Sequence, residues 1–227
     1  GAKYKILSKK DLIEETSNYL SQEKAIGWFQ GRMEFGPRAL GGRSILSDPR
    51  SEKTQKNLNL KVKFRESFRP FAPSVLREAV KDWFDFDGDS PYMLLVKDVN
   101  HQRKLETSAE QQALFGIEKL NVARSTIPAV THVDYSARVQ SISEDRNDRY
   151  YRLVKKFNES TQSPVIVNTS FNIRGEPIVC TPQDAYRCFV STDMDILVLE
   201  NFILFKKEQP KSTLVAKEEY LASFELD

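Results

Sequence analysis

Apolar positions along the chain alternate between helical and strand spacing, and the switches predict its elements. Residues 8–24 carry Leu12, Ile13 and Leu20 behind Ser8-Lys9-Lys10-Asp11, a capping pattern that predicts a helix. Residues 25–29 and 45–47 are short apolar runs of strand length, and Asp48-Pro49 opens a polar helix expected to reach Asn59. Val80, Trp83 and Phe84 predict an amphipathic turn or two within 77–84. Residues 92–99 are apolar apart from Lys97 and Asp98 and predict a central strand. Residues 129–133 and 137–142 predict paired strands around Asp134-Tyr135-Ser136. Residues 146–160 place Tyr150, Leu153, Val154 and Phe157 on one helical face, and 164–168 form a β-branched strand. Thr181-Pro182-Gln183-Asp184 starts another helix, with Thr at the N-cap, Pro at N1 and Asp at N3. Residues 196–199 and 202–205 close the pattern as a hairpin. Strands and helices interleave in this way in α/β folds. No composition break or repeat divides the chain, so we expect one domain over 1–206, a surface insertion near 101–121 and a polar tail over 207–227.

Composition narrows the class without deciding it. The 227 residues are 40% hydrophobic and 29% charged, ordinary values for a globular protein. A net charge of +2 means that any anion must bind where cations cluster locally. Two cysteines make no disulfide framework, and both are expected to be reduced and buried in a cytoplasmic protein. With only His101 and His132, and no His-x-x-x-His, no protein metal site is expected. The acidic run 85–90 lacks the register of a calcium loop and reads as a turn. No apolar run approaches the roughly 20 residues of a membrane span. Gly1 reads as a remnant of cloning, so the chain is expected to be a piece of something longer.

Three stretches carry candidate chemistry. Lys61-Val62-Lys63-Phe64-Arg65, leading to Arg69-Pro70-Phe71, would as an extended strand line one face with Lys61, Lys63 and Arg65. Two readings fit it alone: one wall of an anion pocket, or a solvated edge strand whose lysines discourage pairing. Residues 30–44 set four glycines and three arginines around Pro37, a backbone that can approach an anion or simply turn; neither familiar nucleotide fingerprint is present. Asn168-Thr169-Ser170-Phe171-Asn172 follows a strand, where ligands sit in open α/β sheets.

Together Glu34-Phe35-Gly36-Pro37-Arg38-Ala39-Leu40-Gly41, Phe68-Arg69-Pro70-Phe71-Ala72-Pro73-Ser74, Thr131-His132-Val133-Asp134 and Asn168-Thr169-Ser170-Phe171-Asn172 resemble the C-terminal domain of O-carbamoyltransferases of the nodulation and antibiotic-biosynthesis (NodU/CmcH) type. That domain is similar in fold to the YrdC/Sua5 group, whose Lys-x-Arg and Ser-x-Asn patterns match Lys63-Phe64-Arg65 and Ser170-Phe171-Asn172. The resemblance implies a YrdC-like twisted mixed parallel and antiparallel sheet with flanking helices around a positively charged cavity. It also implies a chemistry, the formation of carbamoyl-adenylate from carbamoyl phosphate and ATP with Mg2+. An N-terminal Kae1-like partner domain, whose metal motif this chain lacks, then passes the carbamoyl group to an acceptor hydroxyl. Two departures stand out: Gly42 replaces an expected Asn, and Tyr135 an expected Gly, where its ring would narrow the pocket mouth.

On that resemblance Arg38, Lys63, Arg69 and Arg138 are expected to hold carbamoyl phosphate and the developing carbamate, with Asn168 and Ser170 orienting it. Arg43, Arg65 and Asn172 are expected to contact ATP, and Lys63, Arg38, Arg138 and Ser170 to carry the catalysis. Ser170 has no histidine partner in sequence, so it is expected to donate a hydrogen bond and not to attack. Alternative readings are a nucleic-acid-binding module of the same fold, disfavoured because no aromatic stacking platform is interleaved with the basic residues, and a non-catalytic nucleotide-binding regulatory domain.

Overall fold

The computed structural model describes residues 1–210 and 217–224. Its centre is a nine-stranded mixed sheet: β1 (Lys5–Ile6), β2 (Ile26–Phe29), β3 (Arg43–Ser47), β4 (Ala72–Leu76), β5 (Leu95–Asp98), β6 (Ser136–Ile142), β7 (Val165–Ser170), β8 (Ile196–Leu199) and β9 (Phe202–Phe205), in the order β1-β9-β8-β2-β3-β7-β4-β6-β5. β2 runs parallel to β8 and β4 parallel to β6; the other neighbours are antiparallel. The helices are α1 (Lys9–Ser21), α2 (Thr54–Leu58), α3 (Val80–Trp83), α4 (Ala109–Ala113), α5 (Gly116–Leu120), α6 (Asp148–Thr161), α7 (Pro182–Ser191) and α8 (Lys217–Ala222). Among the described residues no helix is long and apolar enough to cross a membrane.

The central strands are apolar on both faces because both are covered. Ile26, Trp28, Leu46, Ile166 and Val198 pack with α1 and α6, where Leu12, Leu20, Tyr150, Leu153, Val154 and Phe157 form the helical stripe. Phe29, Ile45, Val167 and Leu197 alternate to the opposite face and meet α7 and the loops through Ala185, Cys188 and Phe189. Ser8 caps α1 by accepting from Asp11 N–H, and Thr181 with Asp184 completes a reciprocal capping box on α7.

Several elements depart from the pattern reading. Residues 61–65 are not a strand: α2 continues into a π-helical turn (Asn59–Lys63) that ends at Phe64 in the left-handed region, φ 48°. A helix begun at Asp48-Pro49 is likewise replaced by a turn, with α2 starting later at Thr54. Helical winding separates Lys61, which is exposed, from Lys63, which is buried. The strand expected centrally at 92–99 is β5, at the sheet edge, with Leu94 and Val96 exposed; apolar content alone did not distinguish the two positions. Residues 128–130 form a 3-10 turn after Pro128, so β6 has no hairpin partner there. Cys188 is buried as expected, but Cys180 is exposed in the loop before α7. The 101–121 segment is a 3-10 turn, α4 and α5, largely exposed. Of the tail, residues 211–216 and 225–227 lie outside the described residues, and α8 is not merely polar: Tyr220 is buried in the core.

Candidate functional site

Strands β4, β6 and β7 lie side by side, and their upper ends, with the segment 37–39, enclose a cavity of about 150 Å³. Arg38, Arg65, Arg138, Asn168, Thr169, Ser170 and Met93 are among its walls. That is well below the roughly 300–1,000 Å³ of pockets that take drug-sized ligands, so the space suits a small, highly polar molecule.

A chain of buried hydrogen bonds orients the amides beside this space. Tyr150 on α6 donates from its phenol to Ser74 Oγ at 2.8 Å, and Ser74 donates to Gln140 Oε1. Burial pushes the Tyr150 phenol up, so its proton stays in place. Gln140 Nε2 donates to Leu40 C=O at 3.0 Å, which sets the amide's orientation. Asn168 Nδ2 therefore donates to Gln140 Oε1 (2.8 Å) and Ala39 C=O (3.1 Å). Asn168 Oδ1 is left as a buried acceptor without a protein partner, and the buried Nε of Arg38 and of Arg138 are donors in the same condition. Burial, then the neighbouring Arg38, lowers the Arg138 pKa, as expected of like charges held together.

Behind this wall lies Lys63. Its ammonium donates to Asn172 Oδ1 (2.6 Å), Asn172 C=O (2.8 Å), Ser170 C=O (2.9 Å) and Ser170 Oγ (3.3 Å). Burial, followed by Arg65, pulls its pKa to about 7. Lys63 thus grips the Ser170–Asn172 turn from beneath and is not itself a cavity wall. Arg65 donates to Asn59 Oδ1 at 2.6 Å and lies over the Phe71 ring; burial, then Arg69, lowers its pKa to about 10.

The other predicted residues sit elsewhere. Arg69 is on the surface, paired with Glu66 at 2.9 Å. Arg43 is 4% exposed, stacks 3.4 Å from the Phe29 ring centroid and donates to the carbonyls of Gln30, Gly31, Gly42 and Cys180. Those bonds occupy its whole fork of donors. Asn172 is similarly committed, its Nδ2 donating to Glu176 C=O at 2.6 Å. His132 is half-buried, and burial lowers its pKa. Tyr135 does not narrow the cavity mouth: its ring lies beneath Lys104 and it is not a wall residue, although its φ of 65° is a conformation that favours the glycine expected there.

Sequence reasoning missed Ser74, Gln140, Tyr150, Asn59 and Glu34. Ser74 and Gln140 had a signal, since each is a polar residue inside a buried strand. Glu34 Oε1 accepts from the backbone N–H of Leu40 and Gly42, so the acidic residue of the glycine-rich run organises its own loop. Among the described residues no group of three or more His, Cys, Asp or Glu could hold a metal ion.

Fold and site define an α/β domain with a small pocket lined by Arg38, Arg65 and Arg138. Residues 17–206 match the family model for the carbamoyltransferase C-terminus, and the chain belongs to that family. It is 57% identical to an uncharacterised protein of Synechocystis sp., over 100% of this chain and 36% of that protein. It is 38% identical to nodulation protein NolO of Bradyrhizobium diazoefficiens, over 87% of this chain and 33% of that protein, with the match in the relative's C-terminal part. Among solved structures it is similar to full-length HypF in its phosphate- and nucleotide-bound form, at TM-score 0.49 and 16% identity, covering 85% of this chain and 25% of that one. The chain thus spans about a third of the curated relatives it matches.

Proposed function

We propose that this domain binds carbamoyl phosphate in the Arg38–Arg138–Asn168 cavity and, with ATP, forms carbamoyl-adenylate. One observation carries the reading: two unpartnered arginine donors and one unpartnered amide acceptor belong to residues of the same small cavity. Carbamoyl phosphate matches that set, with anionic oxygens for the arginines and an amide N–H for Asn168 Oδ1. Acetyl phosphate has similar size and charge but no N–H.

The reaction consumes carbamoyl phosphate, ATP and water and yields carbamoyl-adenylate, phosphate and pyrophosphate. Water releases carbamate and phosphate; a carbamate oxygen then forms a bond to the α-phosphorus of ATP as the bond to pyrophosphate breaks. Bringing two anions within ~3–3.5 Å requires fixed cations, because each like-charge pair costs ~4 kcal/mol at ~4 Å and an effective dielectric of about 20. Arg38 and Arg138 hold the carbamate and phosphate oxygens, and Arg65, at the same cavity, meets the incoming α-phosphate. Lys63 and Asn172 keep Ser170 in position from behind, and Arg43 holds the glycine-rich loop. Mg2+ bound to the nucleotide would supply neutralisation of its phosphates. Transfer to an acceptor hydroxyl belongs to a separate N-terminal Kae1-like domain, in line with the greater length of the relatives.

Calorimetric titration compares the two acyl phosphates. Carbamoyl phosphate should bind at least about tenfold tighter than acetyl phosphate, because the analogue leaves a buried acceptor unpaired. Asn168→Ala should abolish the difference. Equal affinities in the unmodified protein would exclude carbamoyl recognition by Asn168.

A further inference from the structure

We propose that Tyr220, on α8, is a positioning residue for the site: through Glu176 it clasps the turn on which Lys63 and Ser170 are held. Its link to catalysis rests on the reading above. Tyr220 is 1% exposed and donates from its phenol to Glu176 Oε1. Burial and the neighbouring thiol and carboxylate push that phenol far up, so the proton stays on the donor. Glu176 Oε2 accepts from Ile173 N–H at 2.8 Å, and Glu176 C=O accepts from Asn172 Nδ2 at 2.6 Å. Asn172 Oδ1 in turn accepts from Lys63 Nζ at 2.6 Å and from Ser170 Oγ at 2.7 Å. An unbroken path of hydrogen bonds thus runs from the C-terminal helix to the cavity wall.

Packing holds the helix end of this path. Phe224 meets the Tyr220 ring edge-on at 5.2 Å, and the Arg187 guanidinium lies 5.3 Å from its centroid. A ring that only filled space would need no hydroxyl, and burying one is unfavourable unless it is bonded. Here the bond goes to a carboxylate that also holds the Ile173 backbone N–H. Tyr220 lies beyond residues 17–206, the part that matches the family model.

The test uses the full-length protein with Tyr220→Phe, which keeps the ring, and Phe224→Leu, which loosens the same packing but keeps the hydroxyl. Amide hydrogen exchange over 171–176 should accelerate in Tyr220→Phe. Carbamoyl-phosphate-dependent pyrophosphate release should lose roughly tenfold to a hundredfold in kcat with KM for carbamoyl phosphate nearly unchanged, as for a displaced reacting group. Phe224→Leu should retain kcat at a comparable loss of Tm. Exchange and kcat equal to the unmodified protein, or the same kcat loss in both variants, overturn the proposal. If the unmodified protein releases no pyrophosphate, the adenylation reading fails by itself. Exchange at Ile173 then decides the clasp, and unchanged protection in Tyr220→Phe refutes it.

Discussion

Arg38 and Arg138 are neighbours of like charge in a half-buried wall, an arrangement that stability alone disfavours. Arg138→Ala should therefore weaken carbamoyl phosphate binding by roughly 1.5–3 kcal/mol while leaving Tm unchanged or raised. A lowered Tm with unchanged affinity would instead make Arg138 a structural residue. Arg43→Ala should do the reverse of Arg138→Ala, lowering Tm first, since its guanidinium ties four carbonyls together. Lys63 supplies a pH test. Its folded pKa near 7 is depressed below the unfolded value of about 10.4, so the unfolded chain binds more protons across that window. The penalty of burying the charge is full below about pH 7 and fades as pH rises toward 10. Between about pH 7 and 9, Tm should rise more in the unmodified protein than in Lys63→Met; parallel curves would contradict the assignment.

Elements with local causes were legible in the chain. Both capped helices, the α6 stripe and the two-sided strands follow from side-chain spacing and cap chemistry that need no distant partner. The motif residues Arg38, Arg65, Arg138, Asn168 and Ser170 were also legible as a group, since all five line one cavity. What failed depended on long-range geometry. Lys63 reads as strand beside Val62 and Phe64, yet the π-helical turn is held by distant bonds, with Arg174 N–H donating to Lys63 C=O and the Lys63 ammonium reaching the Ser170 turn. Arg43 looks like any phosphate-binding arginine until the carbonyls around it are known. The glycine-rich segment shows the same dependence. Gly41 has φ 109°, and a Cβ there would lie 2.5 Å from Tyr150 Cδ1, in a ring with no room to move. Gly41→Ala should cost at least about 1–3 kcal/mol and also weaken ligand binding, because the Ala39 and Leu40 carbonyls orient Asn168 and Gln140. Gly31→Ala, which meets nothing within 4 Å, should cost only backbone strain of about 1–2 kcal/mol. Equal losses in the two variants would mean that Tyr150 does not constrain the loop.

In the whole molecule, one sheet carries the site on β4, β6 and β7, while α1 and α6 brace its back. Phe157→Ala, on the buried stripe of α6, should cost about 3–5 kcal/mol of a total near 5–15, readable as a lowered denaturant midpoint. The strand order also governs how the chain emerges from a ribosome. β2 and β3 are made early, but their outer neighbours β8 and β7 are made late. A nascent chain that ends before β7 therefore leaves the outer hydrogen-bonding edges of β2 and β3 unpaired, and the apolar face that meets α7 uncovered. Such long-range pairing makes for folding on the order of milliseconds to seconds, and it cannot be completed before β7 and β8 have been made. Until β7 and β8 have emerged, those early strands are where a chaperone would bind or aggregation begin.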